Sequence, residues 1–354
     1  MDWCKFKISL ATIFTWCRWG VLLTFSLLAS FSSRGQQVYP PHWFQGLEYD
    51  TLEIIVHRPQ GHSQRLVVDS AGPRVLSSSL APNPEYAYLR VSLKHFQESS
   101  FEIHYDSAGI ARKLDYELRD VHPHRPQGLK PADALYLITP DRFANGDTVN
   151  DQLAGFQETS YSRQDPYGRH GGDLAGIREH LDYLVTLGFT ALWLSPVLTN
   201  DQPEESYHGY AITDHFRIDP RMGSASQYRK LVNELHQRDM KIIMDVVYNH
   251  VGDQHPFFRN PPDSSFFNFW GHYQQTHYRA STLMDPHASR ADRRIFREGW
   301  FDRHMPDLNQ QDPHVAIYLI QQSLWWILEY GLDAFRIDTY AYPDQQFMGR
   351  LARR

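Results

Sequence analysis

The spacing of apolar residues predicts short β-strands in the first part of the chain. Between residues 38 and 118, short apolar runs alternate with Pro, Gly, Ser and Asn, and no helical repeat lies between them. Strands at this spacing are typical of a small β-sandwich, which we predict for residues 36–118. The predicted strands are 52–57, 65–68, 75–80, 86–93, 99–105 and 112–118.

From residue 134 onward the pattern changes to strands that alternate with helices. Apolar residues between 177 and 187 repeat at helical spacing and run into Gly188, which is a helix stop signal. Further helices are predicted at 228–235 and 315–330. Alternation of this kind implies right-handed crossovers and a parallel sheet, hence an α/β fold. The predicted strands are 134–139, 191–194, 241–247 and 332–337.

Four strand-helix units are visible, whereas a closed (β/α)₈ TIM barrel has eight, typically in about 250 residues. We therefore predict an incomplete barrel, the first four βα units, over residues 134–354. A long polar and aromatic stretch at 252–312 is predicted to be an inserted loop domain. Residues 119–133 contain three prolines and are predicted to form a stiff linker.

The first 35 residues differ from the rest of the chain. Lys5, Lys7 and Arg18 precede an apolar run at 19–31, which is short for a bilayer span of roughly 20 residues. This pattern favours a signal peptide and export, into the periplasm of a diderm host. An uncleaved membrane anchor at 8–31 is the alternative. N-terminal sequencing distinguishes them, because cleavage would leave a new start near residue 36.

Composition excludes several classes of function. Both cysteines, Cys4 and Cys17, lie in the predicted signal peptide, so neither disulfides nor a cysteine nucleophile is expected in the remainder. A net charge of -6 without a Lys/Arg block argues against nucleic-acid binding. Aromatic residues make up 14% of the chain, which fits either sugar-stacking platforms or large aromatic cores.

Two predicted strand ends carry unusual polar residues. The third strand runs into Asp245 and His250, and the fourth contains Arg336 and Asp338. Residues two apart in a strand point to the same face, and a guanidinium beside a carboxylate lowers its pKa and keeps it ionised. An attacking carboxylate must be ionised. Each pair could instead be structural, capping the next helix or bracing a loop.

Several ordered motifs resemble the α-amylase superfamily. Residues 245–250 and 331–339 resemble its first two signature regions, and 207–210 resembles its loop after the second strand. Residues 305–309 resemble a short motif near the end of its inserted domain. Residues 40–44 resemble the entry to the N-terminal module of neopullulanase-type enzymes, which implies an immunoglobulin-like sandwich for the first region.

The resemblance implies a site and a reaction. Asp338 would be the nucleophile and Arg336 would hold it ionised, while Asp245 and His250 would bind sugar hydroxyls. Tyr210 would stack on the sugar ring. The expected activity is retaining hydrolysis of α-1,4-glucosidic bonds in α-glucans such as maltooligosaccharides, cyclodextrins, pullulan and starch.

Retaining hydrolysis needs a second carboxyl group that acts as acid and then as base. The resemblance places this glutamate after a fifth strand, and no residue of the chain is assigned the role. We therefore expect the 354-residue chain to be inactive and its full-length parent to be active. Unpaired first and fourth strands would also expose apolar edges, which predicts self-association of such a fragment.

A loop rich in Asn and Asp follows the first predicted strand of the barrel. Its amide and carboxylate oxygens suit Ca²⁺ rather than a transition metal, although Asn/Asp-rich turns are also common without one. The loop resembles a calcium loop of neopullulanases, cyclomaltodextrinases and cyclodextrin glycosyltransferases. The ligands implied by this resemblance are Asn145, Asp147, Asn150, Asp151, the Gly171 carbonyl and Asp173.

Two other functions share these motifs. A glucosyltransferase or isomerase of the same superfamily would differ in its acceptor site. A non-catalytic α-glucan-binding protein would not need a nucleophile, so Asp338 and Arg336 favour descent from an enzyme. Activity on maltooligosaccharides, cyclodextrin and pullulan would discriminate among the three.

Overall fold

The computed structural model describes residues 37–354, except 49, 60–64, 108 and 269–272. The predicted signal peptide at 1–35, and its alternative as a membrane anchor at 8–31, lie outside the described residues. Among the residues described, no helix has the length and apolar character required to cross a bilayer.

The first region is all-β, as predicted, and consists of two four-stranded sheets with strand orders β1-β3-β6-β5 and β2-β8-β7-β4. The pair β3 and β6 is antiparallel and in continuous register from Thr51 opposite Ser92 to His57 opposite Tyr86. Its kinship with immunoglobulin domains stays a prediction. The strands are β1 Gln37–Tyr39, β2 Trp43–Phe44, β3 Thr51–His57, β4 Val67–Val68, β5 Arg74–Leu80, β6 Tyr86–Ser92, β7 Ser100–Ser107 and β8 Ile110–Arg119.

The second region is built on a four-stranded parallel sheet. Its strands are β9 Leu135–Ile138, β10 Ala191–Leu194, β13 Lys241–Val247 and β14 Ala334–Asp338, adjacent in chain order. Every residue of β13 is buried, as expected for a parallel strand covered on both faces. The α/β prediction is confirmed for these four units. Leu135 and Leu137 of β9 are 44% and 51% exposed, and self-association through this edge stays a prediction.

Helices between the strands follow their sequence signals. In α4, Ala225–His236, Ser224 and Gln227 form a capping box, and Tyr228, Leu231, Val232 and Leu235 face the core. In α7, Pro313–Tyr330, Asp312 caps the start and Gly331, at φ 71°, ends the helix in a left-handed conformation. α8, Gln345–Leu351, follows β14.

One predicted helix is divided in two. The segment expected at 177–187 forms α2, Leu174–Glu179, and α3, Leu181–Thr186, with His180 between them at φ -111°, ψ 12°. The Nδ1 of His180 donates to the carbonyl of Gly176 at 2.7 Å, and this side-chain bond competes with the helical backbone ladder.

Short elements fill the long connections that the sequence pattern left unassigned. β11 and β12 form an antiparallel pair after the second strand of the barrel, and the stretch at 252–312 contains two short helices and two 3₁₀ turns. The added strands are β11 Leu198–Thr199 and β12 Asp214–Ile218, the added helices are α1 Pro140–Phe143, α5 Pro256–Arg259 and α6 Arg290–Glu298, and the 3₁₀ turns are Ser206–His208, Ser264–Phe266 and Ala280–Leu283.

The β-module packs directly on the barrel helices, and Val38–Arg354 form one compact unit. The backbone N–H of Glu53 donates to the side chain of Gln321 at 2.8 Å, and that side chain donates back to the Glu53 carbonyl at 2.7 Å. The predicted linker is also docked, because the N–H of His122 donates to the Leu328 carbonyl at 2.7 Å. It therefore does not act as a free spacer.

Candidate active site

The pairing of β13 with β14 places the predicted site residues at one edge of the sheet. Asp245 lies opposite Arg336, and Val247 lies opposite Asp338. Since side chains alternate along a strand, Arg336 and Asp338 share a face with Asp245. The carboxyl ends of barrel strands are where catalytic groups collect in this architecture.

Arg336 joins the two carboxylates. Its Nη1 donates to Asp338 Oδ1 at 2.8 Å and to Asp245 Oδ1 and Oδ2 at 3.0 and 3.1 Å. The Asp245 side chain is fully buried, whereas that of Asp338 is 15% exposed and that of Arg336 is 34% exposed. Asp338 is therefore the carboxylate of this pair that a bound molecule can reach.

Burial determines the direction of both carboxyl pKa values. Burial raises the pKa of Asp245 to about 6, against the opposing hydrogen bonds from Arg336 and Trp193. Burial also raises the pKa of Asp338, and Arg336 only partly offsets it. Arg336 lowers the pKa of Asp338, as expected, but desolvation of the carboxylate outweighs the guanidinium and decides the net direction. Arg336 does lower both values from what burial alone would give.

Tyr210 contacts this cluster through its hydroxyl group. Its hydroxyl donates to Asp245 Oδ2 at 3.1 Å, and its backbone N–H donates to Nδ1 of His208 at 2.9 Å. The rings of His208 and Tyr210 are stacked, with centroids 5.8 Å apart. Burial lowers the pKa of His208 to about 4, so this imidazole is neutral at pH 7. Tyr210 thus contacts the buried carboxylate of the pair, and its stacking on a sugar ring stays a prediction.

His250 lies next to the cluster rather than within it. Its side chain stacks on Phe301 at 5.2 Å, and the backbone of Tyr210 lies beside it. Burial lowers the pKa of His250 to about 3, so the ring is neutral and can both donate and accept a hydrogen bond. Its buried Nε2 makes no hydrogen bond of standard geometry within the described part of the chain. That nitrogen can therefore form a hydrogen bond with a ligand hydroxyl.

Trp193 belongs to the site although the sequence pattern does not indicate it. Its indole N–H donates to Asp245 Oδ2 at 3.0 Å, and its ring centroid lies 5.1 Å from the guanidinium carbon of Arg336. Trp193 is in β10, and apolar residues of a buried strand carry no signal that separates a site residue from a core residue. Only its position near a strand end, adjacent to β13, could have indicated the role.

The predicted calcium loop is compact and holds buried oxygens without partners. Asn145 Oδ1 and Asn150 Oδ1 are buried and make no hydrogen bond among the described residues. Nδ2 of Asn145 donates to Asp151 Oδ1 at 2.7 Å. A Cβ at Gly171, where φ is +80°, would lie 2.4 Å from that same Asp151 oxygen, so the backbone approaches the loop closely. These oxygens fit a hard cation.

Asp173 does not fit as a calcium ligand. It is the N-cap of α2, and its Oδ1 accepts from the N–H groups of Gly146 at 3.0 Å and Gly176 at 2.7 Å. Its Oδ2 accepts from the Asp147 N–H at 2.8 Å and from Asn150 Nδ2 at 3.2 Å. A carboxylate offers about four lone-pair sites, and four donors occupy them. Asp173 instead organises the loop around the remaining oxygens.

Comparison with known proteins agrees with this geometry. Residues 137–348 match the family model of the alpha amylase catalytic domain, and residues 37–121 match that of the cyclomaltodextrinase N-terminal domain. Neopullulanase 2 of Thermoactinomyces vulgaris is 31% identical over 270 residues, which cover 73% of this chain and 42% of that protein. The intracellular maltogenic amylase of Bacillus subtilis is 34% identical over 70% of this chain and 41% of its own length.

Solved structures show the same relationship. The α-amylase of Geobacillus thermoleovorans, complexed with acarbose, aligns with a TM-score of 0.51 and 36% identity over 62% of this chain and 43% of that one. An Anoxybacillus α-amylase aligns with a TM-score of 0.53 and 34% identity over 62% and 44% of the two chains. The chain thus spans less than half the length of the two curated relatives named above.

Proposed function

Because the chain belongs to the family of α-amylase catalytic domains, we propose that its full-length gene product hydrolyses α-1,4-glucosidic bonds in α-glucans with retention of configuration. The main support for this proposal is that Arg336 contacts two carboxylates. Asp245 is buried, and Asp338 can be reached by a bound molecule. Its relatives are named as neopullulanase, maltogenic amylase and cyclomaltodextrinase.

Asp338 is the proposed nucleophile. Its reachable carboxylate would attack the anomeric carbon, and the electron pair of the broken C–O bond would leave on the glycosidic oxygen. Arg336 stabilises the ionised form and fixes its position through Oδ1. Water would then release the sugar from Asp338 in a second displacement, which restores the original anomeric configuration.

Asp245, Tyr210 and His250 are proposed to position the sugar. Three donors, from Trp193, Tyr210 and Arg336, hold Oδ2 of Asp245 in place. Since the Asp245 side chain is fully buried, we propose that it acts on the sugar through Tyr210 and Arg336, whose side chains it holds in place. We propose that the neutral His250, whose Nε2 makes no hydrogen bond of standard geometry in the described part of the chain, binds a sugar hydroxyl.

The acid that protonates the leaving oxygen is proposed to come from another residue of the full-length protein. Asp245 is unsuited to the role, because its side chain is fully buried and both oxygens already accept hydrogen bonds. Retaining enzymes place their two carboxyl groups about 5–5.5 Å apart with both facing the glycosidic bond. Neither of the two carboxylates that contact Arg336 is therefore assigned as the acid.

The stereochemistry of the product tests this proposal. Full-length protein incubated with maltotetraose should release the α-anomer first, as followed by proton NMR before mutarotation equalises the anomers. A parallel assay on cyclodextrin and pullulan identifies the preferred glucan. Initial release of the β-anomer would show an inverting mechanism and would overturn the assignment of Asp338 as nucleophile.

We further propose that the loop at 145–151 binds Ca²⁺ through side-chain oxygens of Asn145, Asn150 and Asp151, with Asp147 and the Gly171 carbonyl completing the site. The two buried amide oxygens without partners support the proposal. Bound Ca²⁺ would neutralise the acidic loop and fix its fold against α2. This role is structural, since none of these residues contacts the carboxylate cluster.

Chelation should therefore destabilise the protein. A cation at 100 times its Kd contributes about 2.7 kcal/mol, so EDTA should lower Tm by several degrees and added Ca²⁺ should restore it. Asp151→Ala should abolish this response in differential scanning fluorimetry, whereas Asp120→Ala, an exposed linker position, should retain it. A melting curve of the unsubstituted protein that EDTA leaves unchanged would contradict the proposal.

A further inference from the structure

Four arginines lie on one face of α6. Arg290, Arg293, Arg294 and Arg297 are spaced i, i+3, i+4 and i+7, which brings them to the same side of a helix. All four line a cavity of about 440 Å³ between α6 and the start of α8. This volume falls within the roughly 300–1,000 Å³ of small-molecule sites.

The positive charge of this cavity exceeds the carboxylate charge that lines it. Glu298 pairs with Arg294 at 2.8 Å, and Asp344 caps α8 by accepting from the Phe347 N–H at 2.8 Å. Within the described ranges, no hydrogen bond or ion pair holds Arg290 or Arg297. The cavity therefore presents guanidinium groups whose charge is not matched locally.

Arg293 is held in place within the cavity lining. Its Nη2 donates to the carbonyl of Asp285 at 2.7 Å, which fixes the side chain. A side chain that is already ordered loses less conformational entropy when a ligand binds beside it.

Three aromatic side chains, Phe301, Tyr342 and Phe296, lie between this cavity and the candidate active site and form what we call the aromatic wall. Phe301 stacks on His250 at 5.2 Å and meets Tyr342 edge-on at 5.8 Å. Tyr342 lines the arginine cavity and stacks on Phe296 at 4.3 Å. Phe296 is fully buried in α6, so the helix that carries the arginines is anchored to the same wall.

We propose that the arginine cavity binds a phosphate monoester carried by an α-glucan whose chain lies along the aromatic wall. A phosphate monoester has a charge of about -1.5 to -2 at pH 7, and arginine forks match its oxygens bidentately. A neutral glucan would gain nothing from the net positive charge of this cavity, whereas a phosphate group would. This inference rests on the proposed glucan cleft and specifies a substrate class that the cleft would prefer.

The test compares three probes by isothermal titration calorimetry: maltotetraose, maltotetraose carrying one 6-phosphate, and inorganic phosphate. Full-length protein with Asp338→Asn is the background, so that the sugars are not cleaved. The phosphorylated sugar should bind at least tenfold more tightly than plain maltotetraose. This difference in affinity between the two sugars should shrink as the salt concentration rises, because salt screens exposed charges.

Matched variants assign the effect to α6. Arg290→Gln with Arg297→Gln should remove the tenfold advantage and leave the affinity for plain maltotetraose unchanged. Arg65→Gln with Arg74→Gln, two exposed positions of the β-module, should keep it. Equal affinities for the two sugars would overturn the proposal, as would inorganic phosphate that binds as tightly as the phosphorylated sugar. Failure of the underlying glucan function is separate, since plain maltotetraose would then not bind at all.

Discussion

Replacing Asp338 with Asn in the full-length protein should reduce hydrolysis of maltooligosaccharides by about 10⁴-fold or more. Losses of this order accompany removal of a nucleophile in well-studied hydrolases. The amide is nearly isosteric and its oxygen can still accept from Arg336 Nη1, so the local geometry should survive. Only the negative charge that attacks the anomeric carbon is lost, and kcat should therefore fall while the protein stays folded.

The control for this experiment is Asp120→Asn, which makes the same chemical change at an exposed position. Its kcat/KM should stay within about twofold of the unsubstituted protein, and both variants should keep the same Tm. Retention of more than a few per cent of activity by Asp338→Asn would show that another group attacks the sugar. In that case Asp245 would be the first residue to re-examine, since it contacts the same guanidinium.

The sequence predicted the elements that carry their own periodic signal. Strands 191–194 and 241–247 agree residue for residue with β10 and β13, because buried parallel strands are short continuous apolar runs bounded by turn signals. The helix at 177–187 was predicted as one element. Its apolar spacing continues through His180, and the side-chain hydrogen bond that interrupts the helix leaves no trace in that spacing.

The sequence indicated Asp338, Arg336, Asp245, Tyr210 and His250, but not Trp193. An Arg–Asp pair at a strand end can be merely structural, so Arg336 and Asp338 were identified through the resemblance of residues 331–339 to a signature region. Trp193 reaches Asp245 across the sheet, and this contact depends on the register of two strands that are far apart in sequence. The net pKa of Asp338 likewise depends on burial, which neighbouring residues in the sequence do not determine.

Asp333 illustrates a role that belongs to stability rather than to the site. Its carboxylate lies at the base of β14 and is fully buried. Oδ1 accepts from His124 and from the Gln127 N–H, both at 3.0 Å, and Oδ2 accepts from His236 and from the Ile242 N–H, both at 3.1 Å. One side chain thus joins the 119–133 segment, α4 and β13.

The pKa of Asp333 gives the pH range over which this contribution operates. Burial alone would raise it, but the hydrogen bonds from His236, His124 and two backbone amides outweigh burial and hold it well below its usual value. A carboxyl whose pKa is depressed in the folded state stabilises the fold above its unfolded pKa of about 3.9. The contribution is lost as pH falls from there through the lower, folded value.

Asp333→Ala should therefore destabilise the full-length protein by about 3–5 kcal/mol at neutral pH, which corresponds to a fall in Tm of about 10 °C. The substitution leaves two backbone N–H groups and two histidines without their acceptor. Asp182→Ala is the control. It removes an ion pair to Arg238 from a carboxylate that is 87% exposed, and it should change Tm by no more than about 2 °C.

Thermal melts from pH 7 down to pH 3 test the pH dependence. The stability deficit of Asp333→Ala relative to the unsubstituted protein should stay constant above about pH 5 and shrink below about pH 4. A deficit already lost at pH 5 would contradict this account, because the Asp333 carboxylate is still ionised there in both the folded and the unfolded protein.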